Sequence, residues 1–485
     1  MKNIEIDFLK TLSKNYDNLP ICRKIFADEI TPISILKRLS NFSEYYLLES
    51  VEGSERWGRY SFLGFDPIMR VCCKDGVVSI FENGKIETIN TSSPLDVIRD
   101  ILKCYKTPKI EGLPAFTGGF VGYFAYSMIE YAQPELRLDK GDGNDFDLML
   151  FDKVIAYDHL KQQINIIVNI KTNDIEKNIK KANEQIDIII KTITSKELCD
   201  THFSPKNVEF KCKTTKEDFC KSVEKTKEYI ANGDILQAVI SRKFECQYSA
   251  SLLNAYRVLR VENPSPYMVY MKMGDDEIIS ASPETLIKLK DGKLTTFPIA
   301  GSRPRGKTRQ EDLMLEKELL ADKKELAEHN MLVDLGKDDM QKISKASSVE
   351  LVEYMKIYRY SKIMHICSQI QGDIKTGLDA CDAIESILPA GTLSGAPRVR
   401  ACQIINELEK EARGIYGGAL GYLDFNGDMD TCIAIRMATK KGGKVTVQAG
   451  AGIVEHSVAQ KEYEETENKA LAVINAVCNA FEFDK

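Results

Sequence analysis

The chain has 485 residues, of which 28% are charged, and a formal net charge of −6. It is long enough to bury a large core and to form two or three domains. The mild acidic excess gives no reason to expect nucleic acid or an anionic membrane as a partner. No apolar run is long enough to cross a bilayer, and the N-terminus lacks the apolar core of a signal peptide, so we expect a cytoplasmic protein. The 13 cysteines include no C-x-x-C pair, which argues against a zinc site or a disulfide framework.

The N-terminal half has the pattern of antiparallel hairpins. Asp75-Gly76 and Asn83-Gly84 separate short runs rich in β-branched residues, and such pairs are typical of tight two-residue turns. We therefore predict a strand on each side of both pairs.

A change in composition divides the chain. Isoleucines recur at helical spacing from residue 173 to 193, and a polar stretch follows from 194 to 213. The polar stretch has the character of a linker. We therefore predict an N-terminal domain over residues 1–195 and a C-terminal domain over residues 214–485.

Two elements near the C-terminus are suited to anions. Arg436 lies in the apolar run CIAIRM, which we interpret as a buried strand. A buried arginine requires an anionic partner, either an internal carboxylate or a carboxylate of a ligand. The sequence from Gly450 to Gly452 predicts a turn whose backbone amides approach an anion.

Two pairs of glutamates repeat the same spacing. Glu325 and Glu328 share one face of a predicted helix, and Glu462 and Glu465 share a face of another, with Lys469 one turn further along. Most such pairs are simply solvated. The first pair, however, interrupts an apolar stripe, and burying unpaired carboxylates is costly. A divalent cation between the two helices would satisfy both pairs, and Mg²⁺ suits a site of carboxylates, water and an anionic substrate.

Longer motifs carry a resemblance to a known family. They are PIAGSRPRG, AEHNMLVDLG, MHICSQIQG, PAGTLSGAPRVR, YGGALGY with GDMDTCIAIR, and QAGAGIV with EYEETENKA. From about Leu47 to the C-terminus the chain resembles the chorismate-utilising enzymes, and within them the component I chains of anthranilate synthase. The resemblance implies an α+β fold in which mostly antiparallel β-sheets pack as a central sandwich with helices on the outside.

Two residues distinguish branches of this family. Where members that add water to chorismate have a lysine base, this chain has Gln237, which cannot take a proton from water. Where aminodeoxychorismate synthases commonly have a nucleophilic lysine, it has Ala300. The resemblance therefore implies a lyase reaction in which ammonia attacks ring C2 of chorismate, the 4-hydroxyl departs, and pyruvate is then eliminated to give anthranilate.

The resemblance also implies which residues act at the reaction centre. The implied ligands of Mg²⁺ are Glu328 and Glu465 directly, with Glu325 and Glu462 reached through water. The implied catalytic residues are Glu284, His365, Gln237 and Thr392. Glu284 is expected to protonate the departing hydroxyl, and His365 to assist the elimination. Without its motif, a lone histidine such as His365 would be assigned a structural role.

The remaining implied site residues bind the substrate. They are Ser302, Tyr416, Arg436, Gly450, Ala451, Gly452 and Lys469. An arginine gives a carboxylate an oriented, two-pronged contact. The alternative for Lys469 is a salt bridge to Glu465 four residues earlier, and the two roles do not exclude one another.

The N-terminal half suggests regulation. Elements that match the tryptophan-binding residues of feedback-inhibited family members are Glu49, Ser50, Pro266, Tyr267 and Met268. Because they belong to different predicted domains, L-tryptophan bound between them would bias domain closure. The alternative is that the LLES sequence is an ordinary strand end.

The chain itself has no site for releasing ammonia from glutamine. It lacks the cysteine of a glutamine amidotransferase nucleophile turn, so ammonia from glutamine requires a separate component II subunit, and we expect a hetero-oligomer.

Three other functions remain open from the sequence. The rival enzymes are aminodeoxychorismate synthase component I and an isochorismate or salicylate synthase. The non-enzymatic rival is a chorismate-binding sensor subunit, which would have no need of a proton donor such as Glu284.

The chain departs from the family's usual residues at Ser302, Lys337, Asp338 and Lys362. None of these changes removes an implied metal ligand. The serine at position 302 replaces a threonine and is expected to weaken one substrate hydrogen bond.

Overall fold

The computed structural model describes residues 6–50, 58–195, 203–360 and 363–483. In these ranges the α-helices are α1 (Ile6–Leu12), α2 (Pro32–Leu39), α3 (Pro94–Lys103), α4 (Ile129–Ala132), α5 (Ile175–Thr194), α6 (Lys216–Ala231), α7 (Leu253–Glu262), α8 (Arg309–Ala321), α9 (Lys323–Ile343), α10 (Ala380–Ile387), α11 (Arg398–Leu408) and α12 (Ala459–Cys478). Short 3₁₀ helices cover Tyr126–Met128, Thr172–Asp174, Gly391–Leu393 and Ala480–Phe483. None of the described helices is both long and apolar enough to cross a membrane.

The strands of the same ranges number from β1 to β24. They are β1 (Asn18–Phe26), β2 (Glu44–Glu49), β3 (Tyr60–Phe65), β4 (Met69–Lys74), β5 (Val77–Glu82), β6 (Lys85–Asn90), β7 (Gly119–Phe124), β8 (Phe146–Phe151), β9 (Lys153–Asp158), β10 (Gln163–Lys171), β11 (Lys211–Cys212), β12 (Gln237–Gln247), β13 (Tyr267–Met273), β14 (Asp276–Ser282), β15 (Thr285–Lys290), β16 (Lys293–Thr296), β17 (Ile299–Pro304), β18 (Glu350–Arg359), β19 (Ile363–Asp373), β20 (Gly395–Ala396), β21 (Ala419–Asp424), β22 (Met429–Ile433), β23 (Met437–Lys441) and β24 (Lys444–Ile453).

Two large antiparallel sheets form the centre of the molecule. In sheet 1 the strand order is β1-β10-β9-β3-β2-β13-β14-β23-β24-β12-β11, and β20 pairs with β12. In sheet 2 the order is β17-β19-β16-β15-β22-β21-β7-β8-β4-β5-β6, and β18 pairs with β19. Apolar side chains from both sheets meet in one cluster between them, which includes Tyr46, Met149, Phe151, Val269, Met271 and Leu420.

Helices cover the outer faces of the sandwich. Apolar residues of α2, α5, α7 and α12 pack in the cluster on the outer face of sheet 1, and residues of α3, α9 and α10 pack in the cluster on sheet 2. Burial of apolar surface on both faces of each sheet is the main source of stability for such a layered fold. The predicted α+β architecture is confirmed.

Strands from both halves of the sequence share each sheet. In sheet 1, Glu49 of β2 lies opposite Met268 of β13. In sheet 2, β7 lies between β8 and β21, and a Cβ on Gly122 of β7 would be 2.1 Å from a backbone oxygen of β8. The glycine therefore permits the close approach of two backbones. The division into residues 1–195 and 214–485 stays a prediction, and both segments contribute strands to each sheet.

The predicted hairpin turns are present. Asp75 and Gly76 have φ angles of +52° and +77° between β4 and β5, and Asn83 and Gly84 have +50° and +74° between β5 and β6. Positive φ at both central residues matches the twist of the flanking strands, and Asp, Asn and Gly adopt it most readily.

Candidate active site

Glu284 lies in the bend between β14 and β15, and its carboxyl faces Thr392. Thr392 belongs to the 3₁₀ turn Gly391–Leu393, and its Oγ1 donates to Glu284 Oε1 at 3.1 Å. Burial raises the pKa of Glu284 to about 7, against the opposing effects of that hydrogen bond and of the Lys469 charge. A carboxyl with this pKa can donate a proton near neutral pH.

His365 lies on β19, opposite Ser302 of β17. Its Nδ1 is 3.1 Å from the carbonyl oxygen of Gly301, and because a carbonyl only accepts, Nδ1 carries the hydrogen. Burial lowers the pKa of His365, the hydrogen bond to Gly301 opposes this effect, and the Arg436 charge adds to the lowering. The ring is therefore neutral at pH 7, and Nε2 carries the lone pair that accepts a proton.

Arg436 lies in a bend that carries the chain from sheet 2 to sheet 1. Strand β22 ends at Ile433 and β23 begins at Met437, so the prediction that Arg436 lies on a strand is wrong. The apolar run has to leave one sheet to enter the other, and Arg436 sits at the crossing with a φ of +48°. Its Nη1 donates to the Lys469 carbonyl at 2.9 Å. Burial lowers the pKa of Arg436, and the Glu465 charge opposes this effect.

Lys469 joins α12 to the end of β24. Its Nζ donates to the Gly450 carbonyl at 3.0 Å and lies 2.5 Å from Glu465 Oε1. The intrahelical salt bridge considered for Lys469 is therefore present. The same ammonium group also lies near enough to Glu284 to lower the pKa of that carboxyl.

The segment from Gly450 to Gly452 is extended strand, and the predicted turn is wrong. It belongs to β24 and pairs with β12. A Cβ on Gly452 would lie 2.7 Å from Gln237 Nε2, and a Cβ on Gly450 would lie 3.0 Å from the Tyr416 hydroxyl oxygen. Ala451 between them is fully buried. The two glycines therefore leave room for the side chains of Gln237 and Tyr416, and neither adopts a left-handed backbone conformation.

The four predicted metal-ligating carboxylates come from the first two turns of two helices. Glu325 and Glu328 lie on α9, and Glu462 and Glu465 lie on α12. Burial raises the pKa of Glu328, and the negative charges of Glu325 and Glu465 raise it further. Burial also raises the pKa of Glu462, and the Glu465 charge adds to the shift. The two pairs therefore face each other closely enough to repel.

The donor chemistry of this cluster fits Mg²⁺. Among the residues that the structure describes, no group of three or more histidine, cysteine, aspartate or glutamate side chains has the spacing of a metal site. Mg²⁺ is commonly bound through only one or two carboxylates, with water and substrate oxygens completing its six ligands. Glu328 and Glu465 can supply those two, and a cation between the helices would remove the repulsion.

The sequence analysis missed Arg413 and Glu409, which lie in the loop between α11 and β21. The Arg413 guanidinium carbon is 5.7 Å from the centre of the Tyr416 ring, and its Nη1 donates to the Leu393 carbonyl at 2.6 Å. Burial raises the pKa of Tyr416 to about 12, and the Arg413 charge opposes this effect. Acidic and basic residues four apart are common on exposed helices, so no feature of the sequence marks this pair as buried.

A cavity of about 710 Å³ lies between the two sheets, where the paired strands β2 and β13 form part of its wall. Its walls include all the residues of the predicted tryptophan site, namely Glu49, Ser50, Pro266, Tyr267 and Met268. Glu49 is only 6% exposed, and its Oε1 accepts hydrogen bonds from Arg260 Nε at 2.6 Å and from the Tyr256 hydroxyl at 2.7 Å. The structure therefore brings the two parts of this predicted site together on adjacent strands.

Hydrogen bonds, strand pairing, close approaches and charge effects link the residues predicted to bind substrate or metal or to act in catalysis. Their roles stay predictions. Among the departures from the family pattern, Ser302 lies opposite His365 within the predicted site, whereas Lys337 and Asp338 lie further along α9 than its two glutamates. Lys362 lies outside the described residues.

Comparison with known proteins identifies similar chains along nearly the whole length. The model of the chorismate binding enzyme family matches residues 44–475. The chain is 45% identical to anthranilate synthase component 1 of Acetivibrio thermocellus, over 98% of this chain and 99% of that one. It is 42% identical to anthranilate synthase component 1 of Aquifex aeolicus, over 98% of each chain.

Solved structures give the same result. The crystal structure of anthranilate synthase component I from Streptococcus pneumoniae superposes with a TM-score of 0.78 at 34% identity, covering 93% of this chain and 98% of that one. The menaquinone-specific isochorismate synthase of Escherichia coli shares the fold, with a TM-score of 0.70 at 20% identity over 97% of this chain and 98% of that one.

Proposed function

Because this chain belongs to the chorismate binding enzymes, and within them to the anthranilate synthase component 1 chains, we propose that it converts chorismate and ammonia to anthranilate, pyruvate and water. The observation that carries the proposal is the surroundings of Glu284, a carboxyl with a pKa of about 7 that accepts from Thr392 and lies near Lys469. Gln237 and Ala300 favour amination with pyruvate release over the addition of water or a covalent lysine adduct.

Cationic groups orient the substrate. Chorismate carries two carboxylates, and Arg436 and Lys469 supply two positive charges that are linked by the hydrogen bond from Arg436 to the Lys469 carbonyl. The hydroxyls of Tyr416 and Ser302 add neutral donors, and the backbone around Ala451 closes one side of the site. Binding through fixed groups holds the ring in one orientation before the reaction begins.

Glu328 and Glu465 hold Mg²⁺ in this proposal, and Glu325 and Glu462 are reached through water. When bound, Mg²⁺ neutralises the ring carboxylate and draws electron density from the ring. Burial raises the pKa of Glu328 and Glu462, and neighbouring carboxylates raise it further. A cation would relieve this repulsion, which supports the assignment.

Glu284 acts as the general acid in the first step. Ammonia forms a bond to ring C2, the double bonds of the ring shift, and the C4–O bond breaks. The departing hydroxyl takes the proton of Glu284 and leaves as water. Ammonia is already a nucleophile, so Gln237 beside Gly452 is not required to remove a proton from it.

His365 assists the second step. Loss of the proton from C2 and cleavage of the C3–O bond make the ring aromatic and release the enolpyruvyl group as the enolate of pyruvate. Addition of a proton to its methylene carbon then gives pyruvate. A neutral imidazole whose Nδ1 is fixed by the Gly301 carbonyl presents Nε2 as the proton acceptor. The lowered pKa of His365 keeps the ring in this neutral form.

The chain works with a second subunit in this proposal. The name component 1 of its relatives implies a partner component, and the chain has no cysteine nucleophile turn of its own for glutamine. We therefore assign the release of ammonia from glutamine to a separate amidotransferase subunit and place the complex in the cytoplasm.

The cavity lined by β2 and β13 is proposed to bind L-tryptophan as a feedback inhibitor. Its volume of about 710 Å³ lies within the 300–1,000 Å³ range typical of small-molecule sites. Because its walls come from strands of both predicted segments, a bound ligand can favour one relative arrangement of them.

The test is a reaction of the purified chain with chorismate, MgCl2 and an ammonium salt at mildly alkaline pH. Anthranilate fluorescence and pyruvate are followed together, and the reaction is repeated with EDTA and with L-tryptophan. We expect equimolar anthranilate and pyruvate, loss of both with EDTA, and inhibition by tryptophan. Consumption of chorismate without pyruvate would assign the chain to the aminodeoxychorismate or isochorismate branch, and absence of turnover would support a sensor.

A further inference from the structure

Arg413 and Glu409 form a buried ion pair beside the candidate active site. Their side chains are 2% and 6% exposed. Arg413 Nε donates to Glu409 Oε2 at 2.8 Å, and Nη2 donates to Oε1 at 2.7 Å. This two-pronged contact fixes the plane of the guanidinium group.

The other hydrogen bonds of the pair hold two backbone segments. Arg413 Nη1 donates to the Leu393 carbonyl and Nη2 to the Val239 carbonyl, each at 2.6 Å. Glu409 Oε1 accepts from the Ser241 amide at 2.7 Å and from the Ser241 hydroxyl at 2.8 Å. The pair thereby ties the 3₁₀ turn that carries Thr392 to the strand β12.

Arg413 also contacts two aromatic rings, one of which belongs to the predicted substrate-binding residue Tyr416. The guanidinium carbon of Arg413 lies 4.7 Å from the centre of the Tyr126 ring and 5.7 Å from that of Tyr416. An arginine stacked near aromatic faces is held by both electrostatics and packing. Arg413 therefore touches the substrate-binding tyrosine and the turn of the catalytic threonine at once.

A contribution to the stability of the fold does not by itself explain why the buried Arg413–Glu409 pair is charged. Buried ion pairs lose much of their attraction to desolvation, and apolar residues of similar volume often stabilise a core equally well. An apolar side chain, however, has no hydrogen to donate to the carbonyls of Leu393 and Val239. The guanidinium supplies donors to both while remaining neutralised by Glu409.

We propose that Arg413 and Glu409 are positioning residues, which hold the Gly391–Leu393 turn so that the Thr392 hydroxyl reaches Glu284. The proposal rests on the proposed function of Glu284 as general acid. A hydrogen bond to a carboxylate favours its charged form, so the contact from Thr392 sets how strongly Glu284 holds its proton. Loss of the correct turn position would make Glu284 hold its proton more tightly.

The test uses Arg413→Lys, which keeps the buried positive charge but lacks the planar fork that reaches Glu409 and both carbonyls. Activity requires protonated Glu284 and falls as pH rises through its pKa. We expect the alkaline limb of the kcat profile, with ammonia as substrate, to move upward by about 0.5–1 pH unit in Arg413→Lys. Thr392→Val, which removes the hydroxyl itself, is expected to give the same shift.

The double variant Arg413→Lys/Thr392→Val separates positioning from a general effect. If Arg413 acts through Thr392, the double variant shifts the limb no further than Thr392→Val alone. Shifts that add, or an unchanged profile in Arg413→Lys, would overturn the proposal. Arg70→Lys is the matched control, because Arg70 also makes a two-pronged contact with a buried carboxylate, that of Asp147, and it should leave the profile unchanged.

A second readout does not require turnover. Amide hydrogen exchange of the peptide covering residues 391–396 is expected to be at least tenfold faster in Arg413→Lys than in the wild type, and unchanged in Arg70→Lys. Unchanged exchange in Arg413→Lys would overturn the proposal even if the chain proved inactive towards chorismate. Inactivity of the wild type with faster exchange in the variant would refute the proposed function and leave the positioning of the turn supported.

Discussion

The raised pKa of Glu284 affects stability as well as catalysis. Burial raises it from 4.5 to about 7 in the folded chain. Between those pH values the folded chain holds a proton that the unfolded chain has released, so the free energy of unfolding falls as pH rises through this window. The buried Glu284 carboxyl, which can donate a proton near neutral pH, therefore lowers the free energy of unfolding at pH values above neutral.

The variant Glu284→Gln is expected to lose this dependence. Above pH 7 it should be more stable than the wild type by on the order of 2–3 kcal/mol, and near pH 4.5 the two should be similar. Urea unfolding at pH 5 and pH 8 measures the difference for each protein. The same loss of stability with pH in both proteins would show that Glu284 titrates normally.

Gly452 is predicted to matter for substrate binding and little for folding. An alanine there would place its Cβ 2.7 Å from Gln237 Nε2, the flexible end of a side chain, so the amide moves and the backbone stays. We expect Gly452→Ala to change the free energy of unfolding by less than about 1 kcal/mol and to raise the KM for chorismate about tenfold. Gly143→Ala is the control, because a Cβ at Gly143 has no heavy atom within 4 Å. An unchanged KM in Gly452→Ala would show that the position of the Gln237 side chain does not affect chorismate binding.

At the scale of elements, the first two turns of α9 and α12 carry four carboxylates that repel one another, an arrangement that does not stabilise the fold. Burial and neighbouring carboxylates raise the pKa of Glu328 and Glu462. Without a cation the carboxylates of the two helices repel one another. The folded chain is therefore expected to gain stability when Mg²⁺ binds to these carboxylates.

Glu462→Gln tests whether these carboxylates both repel one another and bind Mg²⁺. Removal of one negative charge should stabilise the metal-free protein slightly, by less than about 1 kcal/mol, and weaken Mg²⁺ binding about 10-fold or more. Calorimetric titration with MgCl2 and thermal unfolding with and without the metal measure the two effects. Glu464→Gln on the exposed side of the same helix is the control. Equal Mg²⁺ affinity in Glu462→Gln and the wild type would contradict the assignment of Glu462 to this site.

The errors of the sequence analysis also occur at the scale of elements. Glycine at 450 and 452 suggested a turn because glycine permits positive φ, whereas its use here is to leave room for Gln237 and Tyr416 across a strand. The apolar run through Arg436 suggested one strand, whereas the chain changes sheets there. Both facts depend on which strands become neighbours, and local sequence pattern does not contain that information.

For the molecule as a whole, the long motifs predicted the fold correctly, since each motif contains several residues whose spacing is specific. The roles of the site residues stay predictions. The hairpin turns were predictable from Asp-Gly and Asn-Gly pairs alone. The participation of β2, β3, β7 and β8 in the same sheets as the C-terminal strands was not predicted from the sequence. The Arg413–Glu409 pair was missed because burial of a charged pair is decided by elements distant in the sequence.

A contact between the two sheets links the proposed tryptophan cavity to the candidate active site. Strand β13 of sheet 1 carries Tyr267 in the wall of that cavity, and the Tyr267 hydroxyl lies 3.0 Å from the hydroxyl of Thr285 on β15 of sheet 2, the residue after Glu284. A ligand that favours one arrangement of these strands changes the affinity of the other site.

Binding of tryptophan and chorismate is therefore expected to be reciprocal. If tryptophan weakens the binding of chorismate by a given factor, chorismate must weaken the binding of tryptophan by the same factor, which we expect to be about 5- to 150-fold. Titration of each ligand in the presence and absence of the other, with the inactive Glu284→Gln variant, measures both factors. Independent binding would refute the regulatory role of the cavity.

The most direct test of the proposed reaction compares the wild type and Glu284→Gln in the assay with chorismate, MgCl2 and ammonium salt. The proposal predicts equimolar anthranilate and pyruvate from the wild type, and a kcat at least about 100-fold lower in the variant with chorismate binding retained. Retained binding distinguishes loss of the proton donor from loss of the fold. Chorismate consumed without pyruvate, or a variant within about tenfold of the wild type, would contradict the assignment of Glu284 as the acid of an anthranilate synthase.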